Sequence, residues 1–258
     1  MLFLHGIFGT GANWRTLARR WVAARPSWGA ILVDLRMHGR SQGFAPPHTV
    51  ASAAADLERL AATLATPIGG VAGHSFGGKV ALELVRARAG DLDVAVIIDS
   101  TPGARVPDEV TPDGALSVLA RLAKLPPTFP ERRAFDEHMR GAGLSHAVVQ
   151  WLAMNVEAAP SGGYRLRLDV TAIRALLDDY FARDLWSVVE SPPGRARTCL
   201  VIGGASTTYD AADRERARRA AAAHPERVRA DIVEGAGHWV HVDAPDALLQ
   251  ILVSETPP

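Results

Sequence analysis

Short apolar runs recur along the chain at Leu2–Leu4, Ala30–Val33, Ile68–Ala72, Val94–Ile98, Thr198–Ile202 and Arg229–Val233. They are too uniformly hydrophobic to have one wet face, which is the pattern of strands covered on both sides. Between most of them lie segments with apolar residues at helical spacing: Trp14–Ala24, Val50–Leu64, Lys79–Arg88 and Arg214–Ala223. Strand-like runs alternating with helical ones predict a mostly parallel sheet with helices on both faces and right-handed crossovers.

The alternation stops between residues 104 and 190. Helical patterns follow one another there, at Leu116–Leu125, Glu131–Gly141, Ser145–Met154 and Val170–Leu177, separated by Pro126-Pro127, Pro130, Pro160 and Ser161-Gly162-Gly163. No buried strand is read in this stretch. The expected organisation is a core formed by residues 1–103 and 191–258, with residues 104–190 as a helical cap over the strand ends, where open α/β sheets bind ligands. Phe129, Phe135, Met139, Trp151, Met154, Tyr180, Phe181 and Trp186 are candidates for the pocket lining, though most are expected simply to pack the cap onto the core. Ser254–Pro258 reads as a flexible tail. At the other end, Leu2–Leu4 runs straight into His5-Gly6, so the sheet is expected to lack its first strands on one edge, or the reading frame to start late.

Composition narrows the partners. The 258 residues carry 28 Lys plus Arg against 28 Asp plus Glu, so no overall field draws the protein to nucleic acid or an anionic membrane. The expected ligand is a small molecule, and the expected assembly is a monomer or weak homodimer. Almost all the positive charge is arginine, with only Lys79 and Lys124 as lysines, which reads as compositional bias. Cys199 is the only cysteine, excluding an intramolecular disulfide and pointing to a reducing, cytoplasmic setting. No run approaches the roughly 18 apolar residues of a membrane span.

The candidate chemistry centres on Gly73-His74-Ser75-Phe76-Gly77, a G-x-S-x-G pattern between a strand-like run and a helical one. A serine on so tight a turn is presented above the sheet, with the N-terminus of the next helix directed at any oxyanion formed there. Ser75 is therefore the expected nucleophile. Serine needs an imidazole to take its proton and a carboxylate to orient that imidazole. Of nine histidines, His238 follows the last strand-like run in Gly235-Ala236-Gly237-His238, the position this chain order requires. His241 is the alternative, with a supporting role favoured. His5, His74 and His38 are expected to brace glycine-rich loops, and no histidine spacing resembles a metal site.

The acid is open between positions. A serine, Ser206, occupies the usual slot after Val201-Ile202-Gly203-Gly204. Asp99, after Val94–Ile98, is favoured, with Asp210 and Asp179 as alternatives, while Asp34 is expected to fix its own loop with Arg36. Oxyanion donors are expected from the backbone N–H of Phe76 and of Ile7, with Phe8 as the fallback for Ile7.

Leu4-His5-Gly6, Asp34-x-Arg36-x-x-Gly39-x-Ser41, Gly73-His74-Ser75-Phe76-Gly77-Gly78 and Gly237-His238 together resemble the α/β-hydrolase superfamily. Asn13-Trp14, Gly78-Lys79, Ile98-Asp99-x-x-Pro102, Gly203-Gly204-Ala205-Ser206 and Gly237-His238-Trp239-Val240-His241 narrow the resemblance to its YbfF-type esterase branch. The resemblance implies hydrolysis of short to medium acyl esters or thioesters, a helical cap and no cofactor, and it favours Asp99 as the acid. A serine elbow leaves open C–C bond hydrolase, lipase, lactonase and acyltransferase chemistry, or a non-catalytic ligand-binding member of the fold.

Overall fold

The computed structural model describes residues 1–88, 90–107 and 111–258; residues 108–110 of the expected cap lie outside them. Strands β1 (Leu2–Leu4), β2 (Ile31–Val33), β3 (Gly70–His74) and β4 (Val94–Ile98) alternate with helices α1 (Arg15–Ala24), α2 (Val50–Thr63) and α3 (Phe76–Ala87). After β4 come α4 (Ala115–Leu122), α5 (Arg132–Gly141), α6 (His146–Ala153), a hairpin of β5 (Val156–Ala158) and β6 (Tyr164–Leu166), α7 (Val170–Ala182) and α8 (Trp186–Glu190). The large sheet resumes with β7 (Arg197–Gly203), α9 (Ala211–Ala223), β8 (Val228–Val233), α10 (Val240–Asp243) and α11 (Pro245–Glu255).

The six-stranded sheet has the order β2-β1-β3-β4-β7-β8, and each neighbouring pair is parallel. Successive side chains along a strand point to opposite faces, and the two cores divide accordingly. Leu2, Leu4, Val71, Ala95, Ile97, Leu200 and Ile202 join α2, α3 and α9 on one face. Phe3, Ala72, Val94, Val96, Ile98 and Val201 meet Trp14, Leu17 and Trp21 from the α1 region and Leu248 and Leu252 from α11 on the other. With both faces covered, the strands have no polar side to alternate with.

The hairpin corrects the expectation of an all-helical stretch between 104 and 190. Val156 pairs with Leu166 and Ala158 with Tyr164 in antiparallel register, and a bridge from Phe129 to Tyr164 extends it. The strands are three residues long, and Gly162 and Gly163, read as a separator, adopt positive φ in the turn that joins them.

The tail is another correction. Arg25 donates from Nε to the carbonyl of Thr256 at 2.9 Å and Trp28 Nε1 to that of Pro257 at 3.0 Å. Glu255 and Thr256 are buried, so this end is docked against α1. Arg36, for its part, forms a two-pronged ion pair with Asp56, Nε to Oδ2 at 2.6 Å and Nη2 to Oδ1 at 3.1 Å. Asp34 holds its loop without Arg36, accepting the N–H groups of Gly11 and Arg40, each at 2.8 Å.

Helix α7 packs against α2, α3 and α4, and a buried ammonium fixes it. Lys79 Nζ, in α3, donates to the carbonyls of Gly103 and Tyr180 at 2.7 Å and of Arg183 at 2.8 Å. Three donors meet three acceptors, which is how a fully buried lysine is tolerated. Burial still lowers its pKa to about 8.

Candidate active site

Ser75 stands at the turn from β3 to α3 with φ 52° and ψ −118°, a region L-residues rarely occupy. Its N–H donates to the carbonyl of Ile98 at 3.0 Å. The flanking glycines are required by distance: a Cβ on Gly73 would lie 2.1 Å from the Gly77 carbonyl oxygen, and one on Gly77 would lie 2.6 Å from that of His5. Strand, turn and helix therefore close tightly under the serine, which is 8% exposed.

The loop after β8 brings His238 to it. Ser75 Oγ lies 3.1 Å from His238 Nε2, and His238 Nδ1 lies 2.7 Å from Asp99 Oδ2. With the proton on Nδ1 donated to the carboxylate, Nε2 is the acceptor for the serine hydroxyl. Asp99 is fully buried with φ 43°. Its Oδ1 accepts the N–H of Gly203 at 2.9 Å, and its Oδ2 accepts the hydroxyl of Ser206 at 2.5 Å. Thr208 Oγ1 lies 3.1 Å from both Ser206 Oγ and His238 Nδ1. The serine noticed in the acid slot thus reaches back to the carboxylate from the neighbouring strand end. The roles of Ser206 and Thr208 are not legible locally, because Ser206 and its carboxylate partner are 107 residues apart.

The other carboxylates are used elsewhere. Asp210 caps α9 by accepting the N–H of Asp213 at 2.8 Å, and Asp179 accepts the N–H of Val50 at 2.8 Å while pairing with Arg183.

Phe76 opens α3, so its N–H lies at the helix N-terminus beside Ser75. Across the site is the loop after β1, where Phe8 has φ 64°. The Phe8 N–H donates to His38 Nε2 at 3.3 Å, whereas Ile7 N–H has no acceptor among the described residues. His38 in turn is set by the Arg36 carbonyl, 2.9 Å from its Nδ1. Residues singled out as loop braces thus include one that occupies the fallback donor.

Buried imidazoles crowd beneath the loop. The His74 ring centre lies 4.7 Å from that of His238 and 4.8 Å from that of His241, and His74 Nε2 is 2.8 Å from the His238 carbonyl. Burial lowers the pKa of His5 and of His241 to about 4, that of His38 to about 3, and that of His74 well below its ordinary value. Desolvation penalises the charged form, so these rings are neutral supports.

Above Ser75 is a cavity of about 300 Å³ lined by Ile7, Phe8, Val118, Val148, Trp151 and His238. Of the candidate lining aromatics, Trp151 faces it. Phe129 and Phe135 pack edge to face, Met139 is buried in the same core, and Trp186 lies beneath the Arg216 guanidinium, whereas Tyr180, beneath Lys79, has its hydroxyl beside Ser75 and Ser100. Among the described residues no group of three or more His, Cys, Asp or Glu side chains gathers as a metal site. Nor, among the described residues, is any helix long and apolar enough to cross a membrane.

A parallel sheet carrying a serine elbow at one strand end and a histidine loop after the last strand defines the α/β-hydrolase class. Residues 1–251 match the Alpha/beta hydrolase family, and the chain belongs to it. It is 29% identical to "Esterase YbfF" of Escherichia coli (strain K12), over 98% of this chain and 91% of that protein. It is 27% identical to "sn-1-specific diacylglycerol lipase ABHD11" of Mus musculus, over 98% of this chain and 80% of that protein. The solved "Marine microorganism esterase" superposes with a TM-score of 0.81 at 22% identity, covering 99% of this chain and 94% of that one.

Proposed function

We propose that the protein is a serine hydrolase that cleaves short to medium acyl esters or thioesters through Ser75, His238 and Asp99 and an acyl-enzyme. The observation that carries this reading is the continuous chain Ser75 Oγ to His238 Nε2 at 3.1 Å and His238 Nδ1 to Asp99 Oδ2 at 2.7 Å. Such a chain lets the imidazole accept the hydroxyl proton while the buried carboxylate stabilises the imidazolium. The alkoxide attacks the carbonyl carbon, and the N–H groups of Phe76 and Ile7 receive the oxyanion, each such donor contributing about 3 kcal/mol. His238 then protonates the leaving alcohol or thiol, and in the second half of the cycle it activates the water that releases the acid.

Relatives named as esterases and lipases support ester-bond hydrolysis as the reaction. Residues 104–190 act in this reading as the cap whose Val118, Val148 and Trp151 bound the acyl site. The test is hydrolysis of p-nitrophenyl esters from C2 to C12 by the protein and by Ser75→Ala. A chain-length optimum that disappears with Ser75 is the expected result; unchanged turnover by Ser75→Ala would remove the serine from the mechanism.

A further inference from the structure

The loop that follows β7 brings a hydroxyl to His238 that the triad does not account for. Thr208 Oγ1 lies 3.1 Å from His238 Nδ1 and 3.1 Å from Ser206 Oγ, and the Thr208 N–H donates to Ser206 Oγ at 3.2 Å. Proton counting fixes the direction of each contact. Ser206 has a single hydroxyl proton, and the Asp99 carboxylate takes it at 2.5 Å, since a charged acceptor makes the stronger bond. The imidazole keeps its proton on Nδ1, because a bare Nδ1 would set lone pair against lone pair across the 2.7 Å to Asp99 Oδ2. Thr208 therefore cannot donate to His238. Its proton goes to Ser206 Oγ, which leaves a lone pair of Thr208 Oγ1 facing the Nδ1 proton. That proton thus meets two acceptors, Asp99 Oδ2 and Thr208 Oγ1.

Two guanidinium groups hold the backbone of this loop. From α9, Arg214 Nη2 donates to the carbonyls of Gly203 and Ser206, each at 3.0 Å, and Arg214 Nε to that of Tyr209 at 3.2 Å. From the segment between β4 and β7, Arg105 Nη1 donates to the carbonyl of Thr208 and, at 3.4 Å, to that of Thr207. The Arg105 N–H in turn donates to the Phe181 carbonyl at 2.8 Å, at the end of α7. Arg214 therefore fastens the loop to the core, and Arg105 fastens it to the residues inserted between β4 and β7.

We propose that Thr208 is a positioning residue whose hydroxyl is a second acceptor for the Nδ1 proton of His238, and that Arg105 sets where this acceptor stands. The assignment rests on the hydrolytic reading given above and says what steadies its imidazole. When His238 takes the proton of Ser75 it becomes a cation, and the lone pair of Thr208 then faces a charged donor, which makes a stronger bond. Asp99 supplies the opposite charge, while the second acceptor resists rotation of the ring away from Ser75. Because Arg105 belongs to the segment that also carries α7, a displacement of that segment reaches the imidazole through the Thr208 carbonyl.

Thr208→Val removes the hydroxyl at nearly constant shape, Thr208→Ala removes it without a branched side chain, and Thr208→Ser puts it back. The assay follows kcat and KM for p-nitrophenyl butyrate. Without substrate, NMR of protein carrying isotope-labelled histidine reads the rate at which the His238 Nδ1 proton exchanges with water. Thr208→Val and Thr208→Ala are expected to lower kcat about twofold to tenfold, the factor of one ordinary hydrogen bond, with KM unchanged. Both should speed the exchange, and Thr208→Ser should restore kcat and exchange together. Arg105→Met removes the guanidinium and keeps its stem. It is expected to lower kcat by a similar factor when Thr208 is present and to add nothing to Thr208→Val, because residues that act through one contact do not add. Parent-like kcat and exchange in Thr208→Val, or a loss that Thr208→Ser fails to restore, overturns the role of the hydroxyl. Losses that multiply in the double variant overturn the part assigned to Arg105. Faster exchange in the Thr208→Val form of a protein that hydrolyses no ester overturns the hydrolytic reading and leaves the hold on His238 standing.

Discussion

Lys79 Nζ donates to the carbonyl of Tyr180 at 2.7 Å and lies 4.5 Å from the centre of the same residue's ring. A single ammonium on the helix that begins after Ser75 therefore holds both the backbone and the side chain of α7. Through Gly103 and Arg183 it also ties the start of the segment between β4 and β7 to the end of α7. Lys79→Met leaves three carbonyls without their donor, each costing about 1–3 kcal/mol, partly offset because a charge is no longer desolvated. The expected net loss is about 3 kcal/mol of stability. Urea unfolding measures it, and proteolysis should become faster between residues 103 and 183.

Asp99→Asn should lower turnover by about 10³–10⁴-fold, because an amide can no longer hold His238 with its proton on Nδ1. Asp210→Asn changes only the cap of α9, and its turnover is expected to stay within about twofold of the parent, since surface changes of that kind alter energies by less than about 0.5 kcal/mol. Ester hydrolysis by the two variants, assayed side by side, separates the candidates; full activity in Asp99→Asn would refute its assignment.

Ser206→Ala removes one hydrogen bond to a buried carboxylate. Such bonds contribute about 1.5–3 kcal/mol, so turnover should fall roughly tenfold to a hundredfold with little change in KM. Turnover equal to the parent's would leave Ser206 a purely structural role.

Acid should unfold the protein through its buried imidazoles. His5 and His241 titrate near 4 and His38 near 3 in the folded protein, against about 6.5 unfolded. The unfolded chain therefore binds more protons, and stability rises with pH in this range. The contribution is complete above about pH 6.5 and is lost as the pH falls toward 4. Each histidine adds a slope of up to about 1.4 kcal/mol per pH unit. Denaturant midpoints between pH 7 and 4.5 check this, and a flat profile would contradict burial of the rings.

Gly73→Ala should abolish the elbow outright. The added methyl meets the Gly77 backbone oxygen at 2.1 Å, and backbone, unlike a side-chain tip, cannot step aside. Soluble yield and fluorophosphonate labelling are both expected to collapse together.

The large sheet was legible because its strands are buried on both faces, so Leu2–Leu4 and Val94–Ile98 leave a signal in the sequence alone. The elbow was legible because its pattern lies within five residues, although only Gly73 answers to a distance inside it, to the Gly77 carbonyl, while Gly77 answers to those of His5 and Leu4. What escaped depends on distant partners. Three-residue hairpin strands carry too little pattern, the tail is docked by Arg25 and Trp28 from about 230 residues away, and Lys79 finds its carbonyls up to 104 residues on. Lys79 could be noticed as a motif residue, yet nothing nearby says what its ammonium holds.

The non-glycine residues with positive φ among those described are Phe8, Met37, Ser75 and Asp99. They follow β1, β2, β3 and β4, so four adjacent strands each end on a contorted joint along the same rim. At about 1–3 kcal/mol apiece, the combined tension rivals the whole folding free energy of an ordinary domain, about 5–15 kcal/mol. Toughening this molecule against heat therefore belongs on the opposite flank, where α1 and α11 clasp, while relaxing the rim would trade away the very contortions that aim its side chains.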